Sequence, residues 1–357
     1  MSNTAVKEIA SLTALRAWLR QQEEQRAETF TFRPKGSLLS QYPTGNMGSV
    51  VLEMMPLTRR CKSSVRRSGT TVDVTCTMVY RPCVRMLDAW QGRSRAALET
   101  EELRALEIAR DVVLQIMQKR QTQIDRLYLL YTYIGAKISY QKGKAGTAAF
   151  DALTSADAAL LTNTANCQGF AEVMYLMGGM MDCEMGLMSG RSAAGPHSWN
   201  SIVIGGAVYA MDASASAVAR AASKVSFGEY ACFLMGKREA QENQLVWTNI
   251  QENVKLAPRL PAELDFYQNR GFSVTTAERA AKLAWQKRIA GERVVHIRIR
   301  GQNKIPISQV TRAMQESAKE PAVQKAIAAQ MGGRASYSVI GNAGDLATFV
   351  MIEWPDK

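Results

Sequence analysis

The sequence predicts an α+β protein. Two long helix-period runs stand side by side, at about 98–120 and 122–138. A β-branched alternating run, Thr70 to Tyr80, stands apart from them. Two further β-like runs meet across Gly205-Gly206 as a hairpin.

From the N-terminus, Ile9, Leu12, Leu15, Trp18 and Leu19 recur at helical spacing within 5–26. Thr29 to Phe32 reads as a strand. The stretch 35–48, with Gly36, Pro43, Gly45 and Gly48, reads as a loop. Residues 49–56 fit either a strand or a short helix. Gly69 opens the strand to Tyr80, and Pro82 stops it. Leu103, Leu106, Val113 and Ile116 mark the first long helix, and Leu127, Leu130, Ile134 and Ile138 the second. A short helix at 149–160 and a polar loop from Thr162 to Asn166 follow. Near the C-terminus, 275–290 reads as a helix and Val294 to Ile299 as a strand. Helices near 307–318 and 321–330 come next, then two strands around Gly341 to Gly344. This end resembles the beginning: Thr13 to Ala17 and Thr276 to Ala280 each open a helix that runs into a strand. A duplicated unit and a chance likeness between amphipathic units both explain it.

Length and charge narrow the classes. The 357 residues fit two or three domains of about 100–200 residues each. Lys and Arg total 44 against 32 Asp and Glu, a net charge of +12. That suits nucleic acid, an anionic wall, a membrane surface or an acidic substrate. The basic residues are scattered in short clusters such as Arg59-Arg60-Cys61-Lys62 and Arg66-Arg67. No nucleic-acid-binding signature accompanies them, so nucleic acid is not expected. No apolar run reaches the ~20 residues of a spanning helix. Met1 to Ala10 has no apolar signal core. The chain is therefore expected to be cytosolic, or to start after a removed signal. Six cysteines make no dense disulfide framework, and with only His197 and His296 a zinc site is not expected. No cofactor motif is read.

One segment carries chemistry. After Cys167, Phe170, Val173, Met174 and Met177 recur at helical spacing to Gly178-Gly179, so the thiol stands in the first turn of a helix. A helix N-terminus favours a thiolate, and its free N–H groups can donate to an oxyanion. His197 opens one arm of the hairpin and Asp212 closes the other. With a two-residue loop, Ile204 faces Ala207 and Trp199 faces Asp212. His197 is two residues before Trp199, on the same face and diagonal to Asp212, within about 7–8 Å. Cys, His and Asp then match a nucleophile, a base and its orienting carboxylate. His296 lies in an arginine-rich strand, where a surface or packing role is expected. The methionines at 174, 177, 180, 181, 185 and 188 are expected to fill the core, and Cys183 and Cys232 to be buried.

Cys167-Gln168-Gly169-Phe170-Ala171, His197-Ser198-Trp199-Asn200 and Tyr209-Ala210-Met211-Asp212 together resemble the transglutaminase-like superfamily of bacterial cysteine proteases and transglutaminases. The likeness is specific over about 125–235 and looser over 70–124; nothing comparable is seen in 255–357. It implies a papain-like α+β core at 91–250 with an N-terminal α+β region at 1–90; the helix and strand pattern of 255–357 is read separately as a C-terminal α+β domain, a possible repeat of the N-terminal unit. The likeness implies Cys167 as nucleophile, His197 as base and acid, and Asp212 as orienter. Asn166 replaces the usual small residue before the thiol, and Ala213-Ser214 replaces the usual Pro or Thr after the carboxylate. Asn166, Gln168, Tyr140 and Trp199 are near-site candidates, Tyr140 and Trp199 with core packing as the rival role. The expected function is hydrolysis of a peptide or protein amide through a thioester. Protein cross-linking is the alternative within the class, and a non-catalytic cell-surface module the alternative outside it. The likeness leans to a secreted or surface protein, where positive charge would suit an anionic wall.

Overall fold

The computed structural model describes residues 6–42, 46–93, 98–119, 122–144, 146–222, 230–243, 245–247, 254–300, 305–333, 335–341, 346–347 and 349–354. Among the described residues the fold is α+β, as the sequence predicts, with three four-stranded sheets.

The first 80 residues form β1 (Lys7–Ile9), α1 (Leu12–Glu24), β2 (Thr29–Pro34), α2 (Gly36–Gln41), α3 (Met47–Met54), β3 (Thr58–Ser68) and β4 (Thr71–Tyr80). Ser11 caps α1 by accepting from the Ala14 N–H, and Leu15 and Leu19 bury one face of it. Phe30 and Phe32 point inward from β2, one period of two apart. The sheet order is β1-β2-β4-β3, with β1 parallel to β2. The expected loop at 35–48 contains α2 and the start of α3. Its Gly48 lies so close to Ser63 of β3 that a Cβ there would strike the hydroxyl. Sequence periodicity misses β3. It is an edge strand, exposed along most of its length and rich in Arg and Lys, so it shows no apolar alternation.

Pro82 stops β4, and it also starts α4 (Pro82–Trp90), where the first turn needs no proline N–H. Then come α5 (Thr100–Met117), α6 (Gln123–Lys137) and β5 (Ser139–Tyr140). The short helix expected at 149–160 is two, α7 (Ala148–Leu153) and α8 (Ala156–Thr162), and the polar loop after it contains β6 (Thr164–Ala165). α9 (Cys167–Met180) is buried at every position from Gly169 onward, as a helix enclosed on all sides must be. Gly178 and Gly179 do not end it. They lie inside its last turn, where a Cβ would meet Met185 and Leu87. β7 (Met185–Ser192), β8 (Gly195–Ile204), β9 (Ala207–Met211), α10 (Ala213–Ala222), α11 (Lys237–Glu242) and β10 (Val246–Trp247) follow, with sheet order β10-β7-β8-β9. One buried apolar cluster runs from Ile9 to Leu260 and joins both sheets through α9.

A separate cluster, Ala277 to Trp354, fills the C-terminal part. Its elements are α12 (Phe266–Asn269), β11 (Ser273–Val274), α13 (Ala277–Ile289), β12 (Val294–Ile299), β13 (Ile305–Pro306), α14 (Ile307–Ser317), α15 (Pro321–Met331), β14 (Ser338–Gly341), β15 (Leu346–Ala347) and β16 (Phe349–Glu353). The sheet order is β11-β12-β16-β14, with β11 parallel to β12 and the other pairs antiparallel. That repeats the connectivity of the N-terminal sheet. α1 and α13 are each 13 residues long, and β2 and β12 each 6. The turns before β2 and β12 both hold a left-handed residue, Arg26 and Gly291. Of the turn expected at Gly341 to Gly344, only Gly341 is placed, as the last residue of β14; Asn342, Ala343 and Gly344 lie outside the described residues.

Candidate active site

Asn166 is the N-cap of α9, and Cys167 is its first residue. The Asn166 side-chain oxygen accepts from the N–H groups of Gln168 at 3.0 Å and Gly169 at 3.3 Å. Asn166 is therefore a capping residue. It occupies two of the N–H groups expected to be open to an oxyanion. Among the described residues nothing takes the Cys167 N–H, and the thiol is half-buried. Gly169 explains the glycine two residues after the thiol. A Cβ there would collide with the Leu153 carbonyl oxygen, whose chain presses against this turn and accepts the Asn166 N–H at 3.0 Å.

His197 lies on β8, and Asp212 directly follows β9. Asn200 pairs with Met211 and Ile204 with Ala207, so the hairpin turns on two residues. Gly205 and Gly206 both have positive φ, which the tight turn requires and a β-branched residue would resist. This is the register that places His197 and Asp212 on one face. Their side chains meet, with Nε2 2.7 Å from Oδ2. Asp212 is 4% exposed. Its other oxygen, Oδ1, accepts from the Ser214 N–H at 3.0 Å, the Ser214 hydroxyl at 2.7 Å and the Ala215 N–H at 3.4 Å. The carboxylate thus caps α10 with one oxygen and holds the imidazole with the other. Tyr131 donates to the Asp212 carbonyl at 3.0 Å and pins the same joint to α6.

With Nε2 given to Asp212, Nδ1 is the ring nitrogen left to face Cys167, whose thiol lies beside the imidazole. Burial alone would lower the pKa of His197. The hydrogen bond to Asp212 and the neighbouring Cys167 and Asp212 groups outweigh it and push the imidazole up to about 10. Trp199 stacks on the His197 ring, with centroids 5.9 Å apart. It is 1% exposed and packs with Met188, Cys232 and Met235. It is thus a buried part of the core that packs directly against the imidazole. Asn200, which the sequence motif does not mark as a site residue, donates to the Ala171 carbonyl at 2.9 Å and the Gly186 carbonyl at 3.3 Å. It fastens β8 to α9 and so sets the separation of thiol and imidazole.

β5 and β6 pair in parallel, Tyr140 beside Ala165, two residues before the thiol. The Tyr140 hydroxyl lies near Cys167. Burial, the thiol and Asp212 push it up to about 12, so it stays a donor at neutral pH. Tyr140 also stacks on Phe170, so it serves both core and site. Gln168 accepts from the Ser198 hydroxyl at 2.7 Å and donates to Glu172 at 3.3 Å. Glu172 is fully buried, which raises its pKa. It accepts from Arg81 at 2.9 Å and from the Ala156 N–H at 3.3 Å. Cys167 and His197 open into a cleft of about 430 Å³ bounded by β3, α7 and the β7–β8 edge. Among the described residues no cluster of His, Cys, Asp and Glu could hold a metal ion, and no helix is long and apolar enough to cross a membrane.

No protein-family model and no curated protein matches the chain. Solved structures similar to it include one described as a TGase, at 12% identity and TM-score 0.30, covering 52% of this chain and 51% of that one. Another is a "putative cysteine protease" from Cytophaga hutchinsonii, at 12% identity and TM-score 0.27, covering 43% and 61%. A third is a "putative protease" from Parabacteroides distasonis, at 7% identity and TM-score 0.27, covering 83% and 62%. In each case the match spans less than two thirds of the other protein's length.

Proposed function

We propose that the chain is a thiol-dependent amide hydrolase with a transglutaminase-like, papain-like core, acting on peptide or protein substrates. One observation carries the reading. His197 stands between a helix-terminal thiol and a buried carboxylate, with Nε2 2.7 Å from Asp212 Oδ2.

In this reading Cys167 and His197 rest as thiolate and imidazolium, the charge on the ring held by Asp212. The thiolate adds to the amide carbon, and the oxyanion takes hydrogen bonds from the Cys167 N–H and the Tyr140 hydroxyl. His197 gives its proton to the leaving amine as the C–N bond breaks, which leaves a thioester. Neutral His197 then takes a proton from water. Hydroxide adds to the thioester, the acid departs, and the thiolate–imidazolium pair is restored.

The test uses an activated ester. p-Nitrophenyl acetate should give a burst of nitrophenolate equal to the enzyme present, with an acetyl group on Cys167 by peptide mass. Cys167→Ala should abolish both. A burst that survives in Cys167→Ala, or an acetyl group only on other side chains, would sink the reading.

A further inference from the structure

The wall of the cleft facing the thiol is made by a strand that fails the usual pattern. β3 enters the sheet with a register shift against β4 between Thr58 and Arg60. A bulge of this kind puts two residues opposite one and re-aims their side chains. Here it brings the successive residues Arg59 and Arg60 to the same cleft as Cys167 and His197. The strand's start is held firmly. Leu57 donates to Glu23 at 2.9 Å, Arg81 donates to the Pro56 carbonyl at 2.7 Å, and Thr58 is fully buried.

The charge in the cleft is one-sided. Arg59, Arg60 and Arg81 line it, against one acid, the exposed Asp151. Arg81 is committed to the buried Glu172. Among the described residues Arg59 and Arg60 form no ion pair, although carboxylates partner many arginines elsewhere in the fold. Two uncommitted guanidiniums at a catalytic cleft form an anion-binding wall, with a fork geometry suited to carboxylate. Beyond them Lys62 continues the exposed face of β3.

We propose that the substrate is an acidic peptide segment, its carboxylates held by Arg59 and Arg60 while the neighbouring amide reaches Cys167. This rests on the thiol-hydrolase reading and adds the substrate class to it. The arginines are specificity residues that bind the flank of the chain and take no part in bond breaking.

The test works with two small alkylating probes. Iodoacetate and iodoacetamide alkylate a thiolate by the same displacement of iodide, but only iodoacetate carries a carboxylate. The rate of each at Cys167 is followed by mass in the parent protein and in Arg59→Gln/Arg60→Gln. The imidazolium acts on both proteins alike, so the comparison isolates the guanidiniums. Each solvated charge pair at close range is worth roughly threefold to fivefold. The double variant should therefore lose about tenfold or more in iodoacetate rate while its iodoacetamide rate holds, and added salt should shrink the difference. Peptide amides flanked by Asp or Glu should show a lower KM than their Asn or Gln counterparts, and the variant should erase that gap. If iodoacetate is indifferent to the two arginines, or neutral peptides bind as well as acidic ones, the acidic-substrate proposal falls and the hydrolase reading stands. If iodoacetamide itself reacts with Cys167 no faster than with a free cysteine at neutral pH, both fall.

Discussion

Asp212→Asn is the sharpest test of the site. Asparagine keeps the shape, and its side-chain oxygen can still accept from Ser214 and Ala215, so the cap on α10 survives. What it removes is the negative charge 2.7 Å from His197 Nε2. The interval from the ordinary imidazole value near 6.5 to about 10 corresponds to roughly 5 kcal/mol in favour of the imidazolium. Asp212 and Cys167 share that preference and also offset the burial that opposes it. Assigning about half to Asp212 gives roughly 2–3 kcal/mol, or about 30- to 100-fold. The assay is the pH dependence of iodoacetamide labelling at Cys167. The parent should react steadily well below pH ~8.5, where an ordinary thiol is protonated. This plateau needs charged His197, which is present below about pH 10 and lost above it. In Asp212→Asn the imidazole should lose its proton about two pH units lower, so the plateau should end near pH ~8, while the rate at high pH, where any thiol is ionised, should stay within about threefold. An unchanged profile in the variant, or a parent profile identical to that of a small-molecule thiol, would refute the charge-pair argument.

Three further outcomes are expected. Burial pushes the pKa of Glu23 up to about 7, against the Leu57 N–H and the nearby arginines. Its folded value lies above its unfolded one, so its contribution to stability is full below about 4.5 and lost as pH rises through about 7. Glu23→Gln should match the parent in urea unfolding at pH 4 and exceed it by about 1–3 kcal/mol at pH 8; equal gaps at both pH values would be wrong. Gly169→Ala drives a methyl into the Leu153 carbonyl and should cost about 1–3 kcal/mol in the same titration, whereas a neutral result would mean α7 yields freely. Tyr140→Phe removes one donor near the thiol. It should slow the ester burst by roughly 100-fold while iodoacetamide labelling, which forms no oxyanion, stays within about threefold.

The sequence shows most clearly what depends on local rules. The hairpin needs only Gly205-Gly206 and a period of two to put His197 and Asp212 on one face, and the observed register does so. The helix behind Cys167 is visible in its apolar spacing, but its end is not. Gly178 and Gly179 read as a stop because glycine weakens a free helix, whereas here Leu87 and Met185 leave no room for a side chain. β3 is invisible because its pattern is that of a charged edge, and with it goes the arginine wall. Tyr140 reaches the thiol through a two-residue parallel ladder between segments far apart in sequence, which no local spacing encodes. Asn166 carries a cap signal that is legible in kind, as Asn opening a helix, though not in its consequence for the free N–H groups.

Asp212 divides its two oxygens between a helix and a ring. This makes the constellation an allegiance of two structures, the hairpin and α10, and not a property of three residues. Ser214 and Ala215 lie outside the trio, yet their grip decides where the carboxylate points. If α10 is unwound or cut away, the thiol, the imidazole and the acid all remain in the chain, while the acid is free to turn from His197 toward water. A chain that keeps all three proposed catalytic residues can therefore be silent, and the state of α10 is where such silence would be written.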